Sequence, residues 1–193
     1  MTPTTFPLAL AAALALVGAL SLAQTAPQRN AADVKAAPSS LAQAIRTAEQ
    51  ETGGRARKAE AGDEDGTPAY EIKTVTKDES AEVLVDAASG KVMRVDKPGF
   101  FEMIVGLFDR GDRREEQAAL ARLEVAPMTL AAAIDAAERE TGGRAVKASM
   151  KDLYGQTLFK VGVLKDLSVH KFVVDPVSGK VSAVAPREGK DDD

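Results

Sequence analysis

Leu41–Ala59 reads LAQAIRTAEQETGGRARKA, and Leu130–Ala148 reads LAAAIDAAERETGGRAVKA. Fourteen of these 19 positions are identical, and the second stretch follows the first at an offset of 89 residues without a gap. The register holds downstream. Tyr70 falls on Phe159, Asp86 on Asp175, and Ser89-Gly90-Lys91-Val92 on Ser178-Gly179-Lys180-Val181. A repeat at fixed offset is one folding unit copied, so the chain is two homologous modules rather than one domain.

The quoted stretch opens each module as a helix. Ser40 and Thr129 are the expected N-caps, and Ser40 with Gln43 forms a capping-box pattern that the second copy, with Ala132, lacks. Leu41, Ala44, Ile45 and Ala48 fall on one stripe, matched by Leu130, Ala133, Ile134 and Ala137. The stripe is narrow and small-sided, so the helix should sit close on a sheet. Thr52-Gly53-Gly54 ends it, a glycine taking the left-handed position after the last turn. A short strand is expected at Arg55–Glu60. Tyr70, Ile72 and Thr74 then alternate with Glu71 and Lys73, the period of a strand. Glu82–Asp86 and Val92–Val95 form a hairpin around Ser89-Gly90, and each strand has its counterpart in the second copy. The expected class is α+β: two tandem copies of a helix packed on a small three- to four-stranded antiparallel sheet, joined by a helical connector.

Val83-Leu84-Val85 and Phe172-Val173-Val174 are apolar on both parities, whereas a sheet covered on one side should alternate. Something is therefore expected to cover or bind the second face. The connector is the expected cover: Phe100, Ile104, Leu107 and Phe108 share a helical face. Asp112 should cap a second helix, Arg113–Leu123, with Ala119, Leu120 and Leu123 as its apolar edge, and Arg110-Gly111-Asp112 reads as a break between the two helices. The organisation is then residues 1–23 signal peptide, 24–39 flexible leader, 40–96 first repeat, 97–126 connector, 127–186 second repeat and 187–193 charged tail.

Leu8–Leu20 is an apolar run, and Ser21-Leu22-Ala23 places small residues before a cut ahead of Gln24. This reads as a secretory signal peptide, although Met1–Phe6 has no Lys or Arg. The expected location is secreted or periplasmic, with an uncleaved N-terminal anchor as the alternative; after cleavage no membrane contact is expected. A net charge of −4 argues against a nucleic-acid partner. With no cysteine, there are no disulfides and no thiolate chemistry. Modules of roughly 60 residues bury little surface and gain from docking on one another.

The helix Leu-x-x-Ala-Ile-x-x-Ala, the Gly-Gly break, the Tyr-x-Ile strand and the Val-Asp-x-x-Ser-Gly-Lys-Val hairpin together resemble the PepSY domain. The matching segments are Leu41–Gly54, Tyr70–Val75 and Val83–Val95, recurring as Leu130–Gly143, Phe159–Leu164 and Phe172–Val184. The resemblance implies a helix-on-sheet fold, an extracytoplasmic bacterial location and no catalytic residues. It further implies inhibition or regulation of a peptidase or cell-wall hydrolase by binding it. The second copy departs by carrying Phe159 for Tyr70 and Pro176 in its hairpin, so a contact through the tyrosine hydroxyl would belong to the first copy alone.

Residue by residue, no chemistry outweighs structure. His170 is the single histidine and aligns with Ala81, so neither a triad nor a histidine metal site is expected. Glu49, Glu51 and Arg55 recur as Glu138, Glu140 and Arg144 and read as surface charges with a local ion pair. Asp86 and Asp175 should hydrogen-bond their own turns, and Asp63-Glu64-Asp65 reads as a solvated loop. The chain is therefore expected to be a non-enzymatic binding protein for a protein partner, with no cofactor and no metal. Its candidate contact residues are Tyr70, Leu84, Met93, Phe100, Ile104 and Phe108. The alternative is an accessory envelope module assisting a membrane transporter or sensor. Oligomeric state is not legible.

Overall fold

The computed structural model describes residues 36–97, 110–153 and 156–184. The first copy comprises helix α1 (Leu41–Thr52) and strands β1 (Arg55–Glu64), β2 (Thr67–Val75), β3 (Ser80–Asp86) and β4 (Val92–Asp96). Helix α2 (Arg110–Val125) follows. The second copy comprises α3 (Leu130–Thr141) and β5 (Arg144–Leu153), β6 (Gln156–Lys165), β7 (Ser168–Val174) and β8 (Val181–Ala183). The class is α+β, a helix and then antiparallel strands, twice over.

Each copy contributes four strands, and the two small sheets are one. The order is β4-β3-β2-β1-β5-β6-β7-β8, with β1 and β5 joined antiparallel at the centre. Ala59 pairs with Ala148, its own counterpart in the repeat; Lys58 pairs with Ser149 and Glu60 with Lys147. A pseudo-two-fold axis therefore passes through the Ala59–Ala148 pair. The tandem chain is a covalently linked, self-complementary dimer of modules.

Local chemistry explains the elements. Ser40 Oγ accepts from Gln43 N at 3.1 Å while Gln43 Oε1 accepts from Ser40 N at 3.2 Å, the full capping box; Thr129 Oγ1 accepts from Ala132 N at 3.1 Å. Gly53 and Gly142 end the helices at φ +67° and +68°. The second glycine of each pair has a different task. A Cβ on Gly54 would lie 2.9 Å from Val75 O, and one on Gly143 would lie 2.4 Å from Val163 Cγ1. One glycine supplies a left-handed turn and the next lets the chain pass against a neighbouring strand. β1 runs four residues past its expected end. Asp65-Gly66, both at positive φ, form a two-residue hairpin turn, so Asp63 and Glu64 belong to a strand and not to a loop.

The core lies between the sheet and α1 with α3. Leu41, Ala44, Ile45 and Ala48 of α1 are fully buried, as are Ala133, Ile134 and Ala137 of α3. They rest on Ala59, Tyr70, Ile72, Val83 and Val85, and on Ala148, Phe159, Val161 and Val174. The small alanines bring helix close to strand, and the branched side chains between them fill the space. The two helices meet across the axis, where Arg46 pairs with Asp135, its own repeat counterpart.

Helix α2 lies against β1 and β2. It shares a cleft with Lys58, Lys73, Ser149 and Lys151, on the parity opposite Ala59, Ile72 and Ala148, and with Met150 and Asp152, on the parity of Ala148. Ala119, Leu120 and Leu123 of this helix are buried. The helix starts at Arg110, so Arg110-Gly111-Asp112 sits in its first turn and not in a break. The expected Phe100–Phe108 helix, including Phe100, Ile104 and Phe108, lies outside the described residues.

Candidate binding surface on the open sheet face

Strand alternation sends one set of side chains to the helices and the other to the opposite, open face. In the first module that set is Lys58, Glu60, Glu71, Lys73, Glu82 and Arg94. These charges neutralise one another. Lys58 pairs with Glu60 at 3.0 Å, Lys73 with Glu82 at 3.0 Å and Glu71 at 3.8 Å, and Arg94 with Asp96 at 2.5 Å and with Glu64.

The second module keeps the backbone and changes the charges. Glu60 becomes Ser149, Glu71 becomes Lys160, Glu82 becomes Lys171, Gly62 becomes Lys151 and Lys73 becomes Gly162. Lys147 crosses the joint to Glu60 at 2.6 Å. Among the described residues, Lys151, Lys160 and Lys171 form no ion pair. The lower edge of this face opens into a cleft of about 380 Å³ beneath α2, lined by Arg57, Lys58, Lys73, Arg122 and Lys151, with Asp152 bound to Arg122 at 2.9 Å. Three unpaired lysines thus lie on one face of a chain whose net charge is −4.

Only part of the expected contact set faces solvent. Tyr70 is 0 % exposed, and its hydroxyl donates to Ser39 O at 2.7 Å. It is a core residue that ties down the entry to α1, and it is not available to a partner. Burial raises its pKa. Leu84 is 9 % exposed, in register between Glu71 and Arg94, and is likewise covered. Met93 is 45 % exposed, carried outward where the β3–β4 ladder shifts register.

Other charges hold the fold. Glu49 Oε1 accepts from Ala56 N at 2.9 Å, and Glu138 Oε1 from Ala145 N at 2.7 Å. Both are backbone acceptors where a helix hands over to a strand, more than the surface charges expected of them. Burial raises the Glu138 pKa. Arg144 reaches across the module joint to the carbonyls of Ala37, at 2.8 Å, and Ser39. Asp86 accepts from Ser89 Oγ and Ser89 N, both at 2.6 Å, and Asp175 accepts from Val177 N at 2.8 Å. Those bonds lower both aspartate pKa values, as turn-capping residues require. His170 is exposed and lies inside β7, in register with Val163, not at the strand's end. Repetition marks Glu49 and Glu138 in the sequence, but their partners are backbone atoms that no residue pattern names. The lysine face was legible in the sequence as a comparison of the two copies.

Residues 38–96 and 127–185 each match the family described as "Peptidase propeptide and YPEB domain". The chain belongs to the PepSY family. Each PepSY match opens just before a helix N-cap and spans one helix with its four strands. None of the curated proteins matches the chain. Among solved structures, one from Clostridium difficile 630, described as a "putative lipoprotein", is similar at 18% identity with a TM-score of 0.43, covering 77% of this chain and 95% of that one. Among the described residues, no helix is long and apolar enough to cross a membrane.

Proposed function

We propose that this protein is a non-enzymatic, extracytoplasmic binding protein that regulates a peptidase or cell-wall hydrolase by docking on it through the open sheet face. Membership of a family described by peptidase propeptides supports the partner class. The apolar run Leu8–Leu20 followed by Ser21-Leu22-Ala23 supports the location. The observation that carries the reading is the division of charge on that face. Two copies of one fold present an internally paired half and a cationic half, at positions where neither sign is needed for packing. Such complementarity sets partner choice and association rate. Met93, exposed beside the paired half, is an apolar contact within reach.

The test is affinity capture with the chain from Gln24 to Asp193, against envelope and secreted fractions of the host. Supporting the proposal requires a peptidase or wall hydrolase whose activity falls as the chain is titrated in. Met93→Asp should weaken that binding without lowering the melting temperature. Retention of a membrane transporter or sensor complex, with no hydrolase inhibited, would replace this reading with the accessory-module one.

A further inference from the structure

Lys151, Lys160 and Lys171 lie on three successive strands of the open face. Lys160 is in register with Ser149 and Val173, Lys171 with Gly162, and Lys151 with Leu158. The three lysines therefore form a diagonal line, each two residues and one strand from the next, a spacing of about 7–8 Å. Like charges so placed repel one another. All three are exposed, and among the described residues none is neutralised. The first module holds Gly62, Glu71 and Glu82 at these positions, so the fold does not require the lysines.

The chain carries a matching anion close by. Val184 N donates to Lys171 O at 2.8 Å, so the polypeptide leaves the sheet beside Lys171. Residues 185–193 lie outside the described residues and read APREGKDDD. Asp191 lies seven residues beyond Val184, a span of at most about 25 Å. From β8 to β5 is three strand spacings, about 14 Å. Asp191–Asp193 can therefore reach every lysine of the line. In an extended segment Asp191 and Asp193 point the same way, about 6.7 Å apart, close to the spacing of the lysines.

We propose that the lysine line of the second module is an acceptor for a carboxylate-rich polypeptide segment, and that Asp191–Asp193 of the same chain occupies it. The contact is intramolecular, so a short tether keeps the local carboxylate concentration in the millimolar range. It stands without any outside partner. A partner that uses this face must present anions that displace the tail, which makes the tail a competitor for docking.

Zero-length carbodiimide coupling on the full chain tests the proposal. Peptide mapping of the monomer should find amide links from Asp191, Asp192 or Asp193 to Lys151, Lys160 or Lys171. These links should fall at high salt, where charges more than about 3 Å apart are screened. A second arm uses a labelled hexaglutamate peptide. Neutralising the tail (Asp191→Asn, Asp192→Asn and Asp193→Asn together) should tighten peptide binding at least fivefold by freeing the face. Adding Lys160→Glu with Lys171→Glu should abolish that gain while the melting temperature holds. Links confined to covalent dimers would overturn the proposal, because the occupant would then be a second copy. Equal peptide affinity with and without the tail charges would also overturn it, because the face would be free in the intact chain.

Discussion

The two modules are nearly interchangeable on the helix side of the sheet and opposed on the other. Facing the helices, Leu41 matches Leu130, Ile45 matches Ile134, Ala59 matches Ala148 and Val85 matches Val174, all essentially unexposed. Facing away, Glu71 stands against Lys160, Glu82 against Lys171 and Lys73 against Gly162. The core face must satisfy packing to within a methylene, which leaves little freedom. The open face satisfies only backbone pairing, which any side chain permits. Divergence between copies of one fold therefore separates what holds the molecule together from what it presents to others.

The largest effects should come from the shared face, and they should be equal. Ile45→Ala and Ile134→Ala each remove a fully buried side chain from the same place in the same core. Each should cost about 2–5 kcal/mol in urea denaturation. The β1–β5 pairing makes one sheet of the two copies, so either variant should shift a single transition. Two transitions, with only the mutated module moving, would mean that the copies fold as separate units.

The second glycines sharpen the comparison, because here the copies differ in degree. A Cβ at Gly143 meets Val163 Cγ1 at 2.4 Å and Leu164 O at 2.8 Å, while at Gly54 the nearest atom is Val75 O at 2.9 Å. Both Gly→Ala variants should destabilise by about 1–3 kcal/mol, as overpacking does. Gly143→Ala should be the more costly in the same denaturation series. The reverse order would place more slack around Val163 than the packing allows.

The fold was legible because its signals are local. Ser40-x-x-Gln43, Thr52-Gly53-Gly54 and Asp86-x-x-Ser89-Gly90 each specify a cap or turn within a few residues, and each forms as read. Asp65-Gly66 is an equally local turn signal, set inside an acidic run that reads as a loop. What could not be read was the joining of two sheets into one, which depends on Ala59 meeting Ala148 across 89 residues. Tyr70 misled for a related reason. An alternating strand shows which residues share a face, but not that Ser39 O closes over the hydroxyl. Of the contact set, Met93 faces solvent, where a bulge exposes what the ladder would otherwise hold.

Tyr70→Phe makes the first core resemble the second, which has Phe159. The variant loses one buried hydrogen bond, but Arg144 still donates to Ser39 O. The expected cost is about 1 kcal/mol. A loss several times larger would mean that the hydroxyl, and not Arg144, secures the entry to α1.

Glu138 gives the comparison a pH dependence. Burial raises its pKa above the ordinary 4.5. The folded state then holds the proton more tightly than the unfolded chain. Its contribution is favourable below the ordinary value and is lost as pH rises through the raised one. Asp86 and Asp175 run the other way: their lowered values stabilise above the ordinary range, and that stability is lost as pH falls through them. Glu138→Gln keeps an oxygen to accept from Ala145 N and cannot ionise. Its melting temperature relative to the parent should therefore rise between pH 4 and pH 7. A difference flat across that window would mean that the carboxylate is well solvated.

The smallest effect is expected at the axis itself. Arg46 and Asp135 are counterparts, so a symmetric pair of modules would place like charges together there. Divergence has made the contact attractive. The side chains are 48% and 39% exposed, which limits the pair to about 0.2–1 kcal/mol. Arg46→Asp alone should lower stability by about that amount, and more at low salt than at high salt. Adding Asp135→Arg should restore it, since the two-fold returns each charge to the other's place. Failure of the double variant to recover would mean that one charge serves its own module. Recovery would show that the pair acts between the copies, and that the joint carries a sign pattern which two identical modules could not supply.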